Sequence, residues 1–303
     1  MTAAKGCVGV IGATSIVGEC LLPMLVKEGY EVVAFSRQER CVQPYSADTP
    51  VIWKHLTKSI LSNQSNVSTT EKKISFWIHL APIWVLPEYF SMLSAYGARH
   101  IVAVSSTSKV TKNSSADSHE RKLAERLAVN EEGFVKWAEK EKINYTLLSS
   151  TMIYGLGRDE NVSVIASFIR RFSFFCVFGA ALGLRQPVHA RDVAFACVNA
   201  ISRSAAINRF YHISGGEILN YREMVCRIFS ALGKTPRFIQ IPLWFFRCAI
   251  FILRVFPPFR HWSYAMAERM NQDLVFDHTE ASRDLDFSPR KFYLDQDDLP
   301  KNN

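Results

Sequence analysis

Apolar positions along this chain cluster into short runs joined by stretches of helical spacing. Cys7 to Ile11 is an apolar run rich in β-branched residues. It ends at Gly12-Ala-Thr-Ser-Ile-Val-Gly18, beyond which apolar residues recur with helical period to Lys27, and Gly29 lies just past that helix. Glu31 to Phe35 reads as a second buried strand. Ile74 to Ala81, closed by Pro82, reads as a third, and His100 to Ser105 as a fourth, reached through a helix expected over Glu88 to Tyr96. A long charged helix is predicted from Ser118 to Lys142, with Leu123, Leu127, Phe134 and Trp137 as its apolar positions, and Asn144 to Tyr154 as a further strand. The polar stretch from Ser62 to Thr70 reads as a loop. Strands alternating with helices predict an α/β protein of Rossmann type, with a doubly wound parallel sheet.

The first strand, glycine turn and helix carry candidate chemistry. A glycine at the strand end permits a tight turn, and small residues let a pyrophosphate approach the main chain. The helix start then offers free N–H groups and the positive end of its dipole to that anion. Gly12, Thr14, Ser15, Ile16, Val17 and Gly18 are therefore candidates to bind a dinucleotide. Ser15 stands where the spacing G-x-x-G-x-x-G has its central glycine, which restricts backbone approach there. Glycine spacing alone is a weak signal; its position between a strand and a helix gives it weight. The second strand ends in Ser36-Arg37. An NAD site places an acidic residue there for the ribose hydroxyls, whereas arginine suits a 2′-phosphate, so NADP is the expected cofactor and NAD the second choice.

Bulk properties narrow the classes. With 303 residues, 48% of them hydrophobic, the chain can bury one large α/β domain with a smaller lobe. The net charge of +8 is spread along the chain without a clustered basic stripe. That argues against nucleic acid and leaves an anionic ligand, an anionic membrane surface or a plain solvated surface. Seven scattered cysteines without a C-x-x-C pair point to a reducing compartment and to no metal site. The first residues lead straight into a strand, without a secretory apolar region. Phe172 to Leu184 is too short to span a membrane, and the apolar stretch after Ile239 is broken by Arg247 and Arg254 before it reaches about 20 residues. The expected location is cytoplasmic, or peripheral on the inner face of a membrane. Leu243 to Phe256, whose two arginines share one helical face, fits a helix lying on a membrane, and fits better a buried or homodimer-forming helix, because helices apolar all round usually belong to a core.

Several segments in order resemble the extended and atypical branches of the short-chain dehydrogenase/reductase superfamily, in the NAD(P)-dependent epimerase/dehydratase family. They are Gly12 to Gly18, His79-Leu-Ala-Pro82, Ser105-Ser-Thr-Ser108, Ile153-Tyr-Gly155, Gln186-Pro-Val-His-Ala-Arg-Asp192, His212-Ile-Ser-Gly-Gly216 and Phe287-Ser-Pro-Arg-Lys-Phe292. The resemblance implies that Leu80, Ala81, Pro82, Ser105 and Ser106 run beside the cofactor. It implies that Thr107 hydrogen-bonds the reacting oxygen, that Lys122 holds the ribose, and that Arg185 meets the diphosphate of a nucleotide sugar. It further implies a dinucleotide-binding domain over 1–155, to which 185–202 returns, and a substrate lobe from 156–184 and 203–303.

The chain departs from that family where a proton must move. The usual Tyr-x-x-x-Lys reads Ser118-His-Glu-Arg-Lys122 here, and no tyrosine lies between Tyr96 and Tyr145. A serine hydroxyl needs a neighbouring base before it can transfer a proton at neutral pH. Three readings stand open: His119 or Glu120 supplies the acid/base, Tyr154 does so from the next strand and also contacts substrate, or the domain holds its cofactor without chemistry. Ser118 and Lys122 share a helical face, and His119 is turned about 100° from it. Ser149-Ser150 replaces a common Arg-Pro, and His55-Leu56 replaces an Asp-Leu that holds adenine in relatives. Two function classes result: an oxidoreductase or epimerase acting on a nucleotide-activated sugar, and a non-catalytic NADP-binding accessory or sensor subunit on a membrane or larger complex.

Overall fold

The computed structural model describes residues 5–37, 51–56, 73–245 and 264–301. In its first half the chain runs β1 (Cys7–Ile11), α1 (Ile16–Lys27), β2 (Glu31–Ser36), β3 (Val51–His55), β4 (Phe76–His79), a 3-10 helix (Ile83–Tyr89), α2 (Phe90–Ala95), β5 (His100–Ser106), α3 (Ser108–Thr111), α4 (Ser118–Glu141) and β6 (Asn144–Ser150). The second half runs β7 (Ile153–Tyr154), α5 (Val162–Phe172), β8 (Phe175–Phe178), β9 (Leu184–Arg185), β10 (Val188–His189), α6 (Ala190–Ser202), β11 (Arg209–Ile213), β12 (Leu219–Asn220), α7 (Tyr221–Ala231), β13 (Phe238–Ile241), α8 (Tyr264–Arg269) and α9 (Thr279–Leu285). Seven strands form one parallel sheet in the order β3-β2-β1-β4-β5-β6-β11. The chain reverses its direction of travel between β1 and β4, and such a switch point opens a crevice at the carboxyl ends of the strands.

Both faces of the sheet are covered, so its inner strands read as continuous apolar runs. On one face α1 and α6 pack together over Val8, Val10, Val32, Ala34, Val102 and Leu148. Leu21, Leu22 and Leu25 of α1 are fully buried there, each contributing about 2 kcal/mol of transfer free energy. On the other face the 3-10 helix, α2 and α4 cover Ile11, Trp77, Ile101 and Ala103. A Cβ at Gly9 would lie 2.5 Å from the Trp77 ring, so this glycine makes room for the indole. The C-terminal lobe has its own core, in which Tyr154, Val162, Ile169, Met224, Phe229 and Phe292 meet. Three small sheets frame it: β7 with β10, β9 with β12 and β8 with β13.

Three expected elements change, and one unexpected strand is present. The strand expected over Ile74 to Ala81 is only Phe76–His79, because β1 offers four partners before it turns at Gly12. The helix expected from Glu88 is a 3-10 helix from Ile83 followed by a short α-helix, with Pro87 inside the first piece withholding a backbone donor. The strand expected through Tyr154 breaks after Ser150: the Thr151 amide bonds to Ile213 and its hydroxyl donates to the Gln186 carbonyl at 2.5 Å, after which β7 pairs with β10 instead. β3 was not expected at all; it is a half-exposed edge strand without the apolar run of a buried one. The Ser62 to Thr70 loop falls outside the described residues, as does the 243–256 segment beyond Phe245.

Candidate functional site

Four strand ends and one helix start converge at the switch point. At the end of β1, Gly12 has φ +81°, and a Cβ there would sit 2.6 Å from the Ala81 amide nitrogen. The approach is fixed from the other side, since Leu80 N–H donates to the Ile11 carbonyl at 2.8 Å. Ser15 caps α1, its hydroxyl accepting from Gly18 N–H at 3.1 Å. That leaves the Ile16 and Val17 amides without intrahelical acceptors, as at any helix start. A Cβ on Gly18 would lie 2.3 Å from the Ala13 carbonyl oxygen, so the helix meets the turn at a distance only glycine allows. Thr14 is exposed at the tip. The six residues of the expected cradle are thus contiguous around one turn, with Leu80 and Ala81 half-buried beside it and Pro82 exposed.

At the end of β2, Ser36 is buried and Arg37 exposed. His55 of β3 bonds through Nε2 to the Arg37 carbonyl at 3.1 Å, which steadies the backbone here and leaves the guanidinium free to swing. Arg37 reaches Tyr89 electrostatically, offsetting part of the upward push that burial gives that phenol. At the end of β4, His79 is buried, and burial pulls its imidazole down to about 4. It is neutral there, with Nε2 3.4 Å from the Pro82 carbonyl and Nδ1 unpartnered.

The end of β5 holds a cluster that no sequence motif announced. Ser105 donates to Glu131 Oε1 at 2.5 Å, and Lys109 of α3 ion-pairs with the other oxygen of that buried carboxylate. Thr107 is buried at the start of α3, its N–H donating to Ser150 at 2.9 Å, while the Ser150 hydroxyl returns a bond to the Ser105 carbonyl at 3.0 Å. The Ser106 hydroxyl accepts from Ser108 N–H at 3.1 Å. A signal for Glu131 existed: it continues the stripe Leu127, Glu131, Phe134, Ala138 on the buried face of α4, where a carboxylate requires a partner.

At the start of α4, Asp117 accepts from His119 N–H at 2.8 Å, and Ser118, His119 and Lys122 are exposed. Glu120 is half-buried. It accepts from the Ser115 hydroxyl at 2.7 Å and ion-pairs with Arg269 of α8, which ties this helix to the lobe.

Two expected residues sit elsewhere. Tyr154 is fully buried in the lobe core, its hydroxyl donating to the Tyr293 carbonyl at 3.2 Å and its ring packed edge-on against His189 and Phe292. Burial pushes its phenol further up, so it has neither the access nor the acidity for proton transfer. Arg185 is also buried, where the resemblance implied a contact with a diphosphate. Its guanidinium donates to the Leu184 and Gln272 carbonyls at 2.7 Å each and to the Arg269 carbonyl, and it lies over the Tyr221 ring. Desolvation lowers it to about 10, against a partial upward pull from Tyr221 and Asp273. The peptide backbone thus takes the donors that were expected to face a diphosphate.

Two cavities of about 380 Å³ lie apart from these groups. One is lined by His189, Arg191 and Asp295 to Asp298, the other by α1 residues with Leu156 and Arg191. Neither touches Thr107, Lys122 or the Gly12 turn, so the strand-end crevice, where the candidate chemistry converges, is the better site.

No protein-family model matches the chain, and no curated protein matches its sequence. Solved structures match it in shape over almost its whole length. A UDP-glucose 4-epimerase from Thermotoga maritima, solved with UDP-glucose, superposes with a TM-score of 0.65 at 15% identity, covering 93% of each chain. The fold is that of the nucleotide-sugar epimerases and dehydratases. A UDP-glucuronic acid 4-epimerase from Bacillus cereus in complex with NAD gives 0.67 at 16% identity, over 93% of this chain and 91% of that one. A dTDP-glucose 4,6-dehydratase from Bacillus anthracis, also with NAD, gives 0.67 at 12% identity, over 95% and 93%. The epimerase/dehydratase fold accounts for the seven-stranded sheet and for the small lobe built on its C-terminal side.

Proposed function

We propose that the chain is an NADP-dependent oxidoreductase or epimerase acting on a nucleotide-activated sugar. Residues 1–155 with 185–202 hold the cofactor, and 156–184 with 203–303 hold the substrate. The observation that carries the reading is the Gly12 turn, closed against Ala81 and opening onto the first amides of α1. It fits a pyrophosphate because the backbone itself must be approached there. Arg37 at the end of β2 supports a 2′-phosphate. The structural neighbours solved with NAD support the nicotinamide class, and those solved with UDP-sugars support the substrate class.

A bound nicotinamide would supply the hydride acceptor. The chain supplies the rest. Thr107 orients the substrate oxygen by hydrogen bonding, its backbone held by the N–H bond to the Ser150 carbonyl and by its sequence neighbours Ser105 and Lys109, which both bind Glu131. Lys122 holds the ribose. The proton falls to His119 or to Glu120, the two acid/base groups on the first turn of α4, and Glu120 acts only when released from Arg269. Nicotinamide absorbance and chromatography of the sugar products, followed with NADPH or NADP and a panel of UDP- and dTDP-sugars, test this reading, since an epimerase returns its hydride and leaves absorbance unchanged. Turnover that Thr107→Val and Lys122→Met each reduce at least about a hundredfold supports it.

A second reading has its own observation. Ser118 stands at the proton-donor position, and Tyr154 is sealed in the lobe core. The chain then binds NADP as an accessory or sensor subunit. Tight cofactor binding with neither an absorbance change nor an altered sugar product for any sugar decides for that reading.

A further inference from the structure

Among the described residues, the outer side of the lobe is apolar, cationic and exposed. Pairing of β8 with β13 sets residues 175–178 beside 238–241, and both strands come from stretches without acidic residues. No aspartate or glutamate occurs from Asn161 to Arg191, nor from Met224 to Ala267. Val164, Phe168 and Phe172 recur every four residues along α5, and the outermost are well exposed, Val164 at 59% and Phe172 at 48%. Ile239 on β13 is 48% exposed, and just beyond that strand Trp244 is 70% and Phe245 54% exposed. Arg171 lies over the Phe172 ring, and Arg237 enters β13 through a hydrogen bond from Phe175 N–H to its carbonyl. The neighbouring acidic groups Glu217 and Glu223 on the α7 side are both neutralised by Arg227.

We propose that this face docks on an anionic lipid surface. Large exposed aromatics flanked by cations are the composition that enters a headgroup layer: Trp and Phe bury in the interface while arginines meet lipid phosphates. Charge decides between a membrane and a second copy of the chain. A two-fold interface sets a patch against its own image, which here brings Arg171 and Arg237 toward like charges with no carboxylate to pair them. An anionic bilayer complements them. Docking is peripheral, since among the described residues no helix is long and apolar enough to cross a membrane.

Co-sedimentation of the full chain with phosphatidylcholine vesicles, with and without phosphatidylglycerol, tests the proposal. The wild type binds only the anionic vesicles and is released by salt. Arg171→Gln with Arg237→Gln lowers the partition coefficient about 25-fold, fivefold for each charge. Trp244→Ser with Phe245→Ser lowers it at least about tenfold. Lys136→Gln, on α4, leaves it unchanged, and circular-dichroism melts verify that each variant folds. Equal binding to both vesicle types, no binding to either, or patch variants that bind like wild type overturns the proposal. So does a dimer, seen by light scattering, that Trp244→Ser with Phe245→Ser dissolves while vesicles are ignored.

Discussion

Arg37, Lys122 and the buried histidines show how single side chains set expectations that solution measurements can check. Arg37 is exposed at the strand end where a 2′-phosphate would lie. Arg37→Asp should weaken NADP binding by at least tenfold, about 1.4 kcal/mol, and leave NAD binding within a factor of two, measured by calorimetry. His79 and His100 carry a different prediction. Burial pulls both imidazoles down to about 4. Thr146 gives its single proton to the Ala206 carbonyl at 2.7 Å, so it accepts from His100 Nε2 at 2.9 Å, which places the proton of the neutral ring on Nε2. The unfolded chain takes up these protons near pH 6.5 and the native chain refuses them until about pH 4. Stability is therefore fully present above pH 6.5 and falls as pH drops through that window, by up to roughly 3 kcal/mol for each group. Urea midpoints measured from pH 7 to pH 4.5 should decline, and His100→Asn should flatten the slope. Residue-scale chemistry was the least legible part of the sequence. Arg37 and Gly12 lie at the strand ends their sequence positions suggested. Tyr154 and Arg185 lie buried in the lobe, because a motif position says nothing of whether a side chain faces a cleft or a core.

At the scale of elements, the join between β5 and α4 depends on one buried carboxylate. Glu131 holds Ser105 on the strand and Lys109 on the short helix after Thr107. Glu131→Leu leaves Lys109 without its counter-charge and frees the Ser105 hydroxyl. It should lower stability by about 2 kcal/mol, less than for a fully buried pair because Lys109 is partly solvated. Thermal melts check this, and Lys109→Met added to Glu131→Leu should recover part of the loss. The Ser15 cap is worth about 1 kcal/mol, so Ser15→Ala should show a smaller drop. The β1–α1–β2 unit was readable because strand run, glycine turn, helical period and terminal Gly29 agreed with one another. β3 was not, since an edge strand that is half-exposed along its length lacks both a buried run and a clean alternation. The break after Ser150 was hidden for a different reason: the bonds that divert the chain come from Gln186 and Ile213, far along the sequence.

For the whole molecule, the layered sheet was legible from alternation alone, whereas the lobe was legible only through resemblance, because its strands are two to four residues long. Glu120 with Arg269 is one of the ion pairs that join the two, beside Arg158 with Glu19 and Arg290 with Asp192, and the same glutamate is a candidate proton carrier. The account stands on a dinucleotide meeting the backbone at Gly12, where a side chain would strike Ala81 N and the φ of +81° would be strained. Isothermal titration of wild type and Gly12→Val with NADP and NAD measures that contact directly. The account predicts saturable heat from wild type, tighter with NADP, and none from a Gly12→Val variant that still melts cooperatively. No heat from either dinucleotide with folded wild type, or equal heat from the variant, contradicts it.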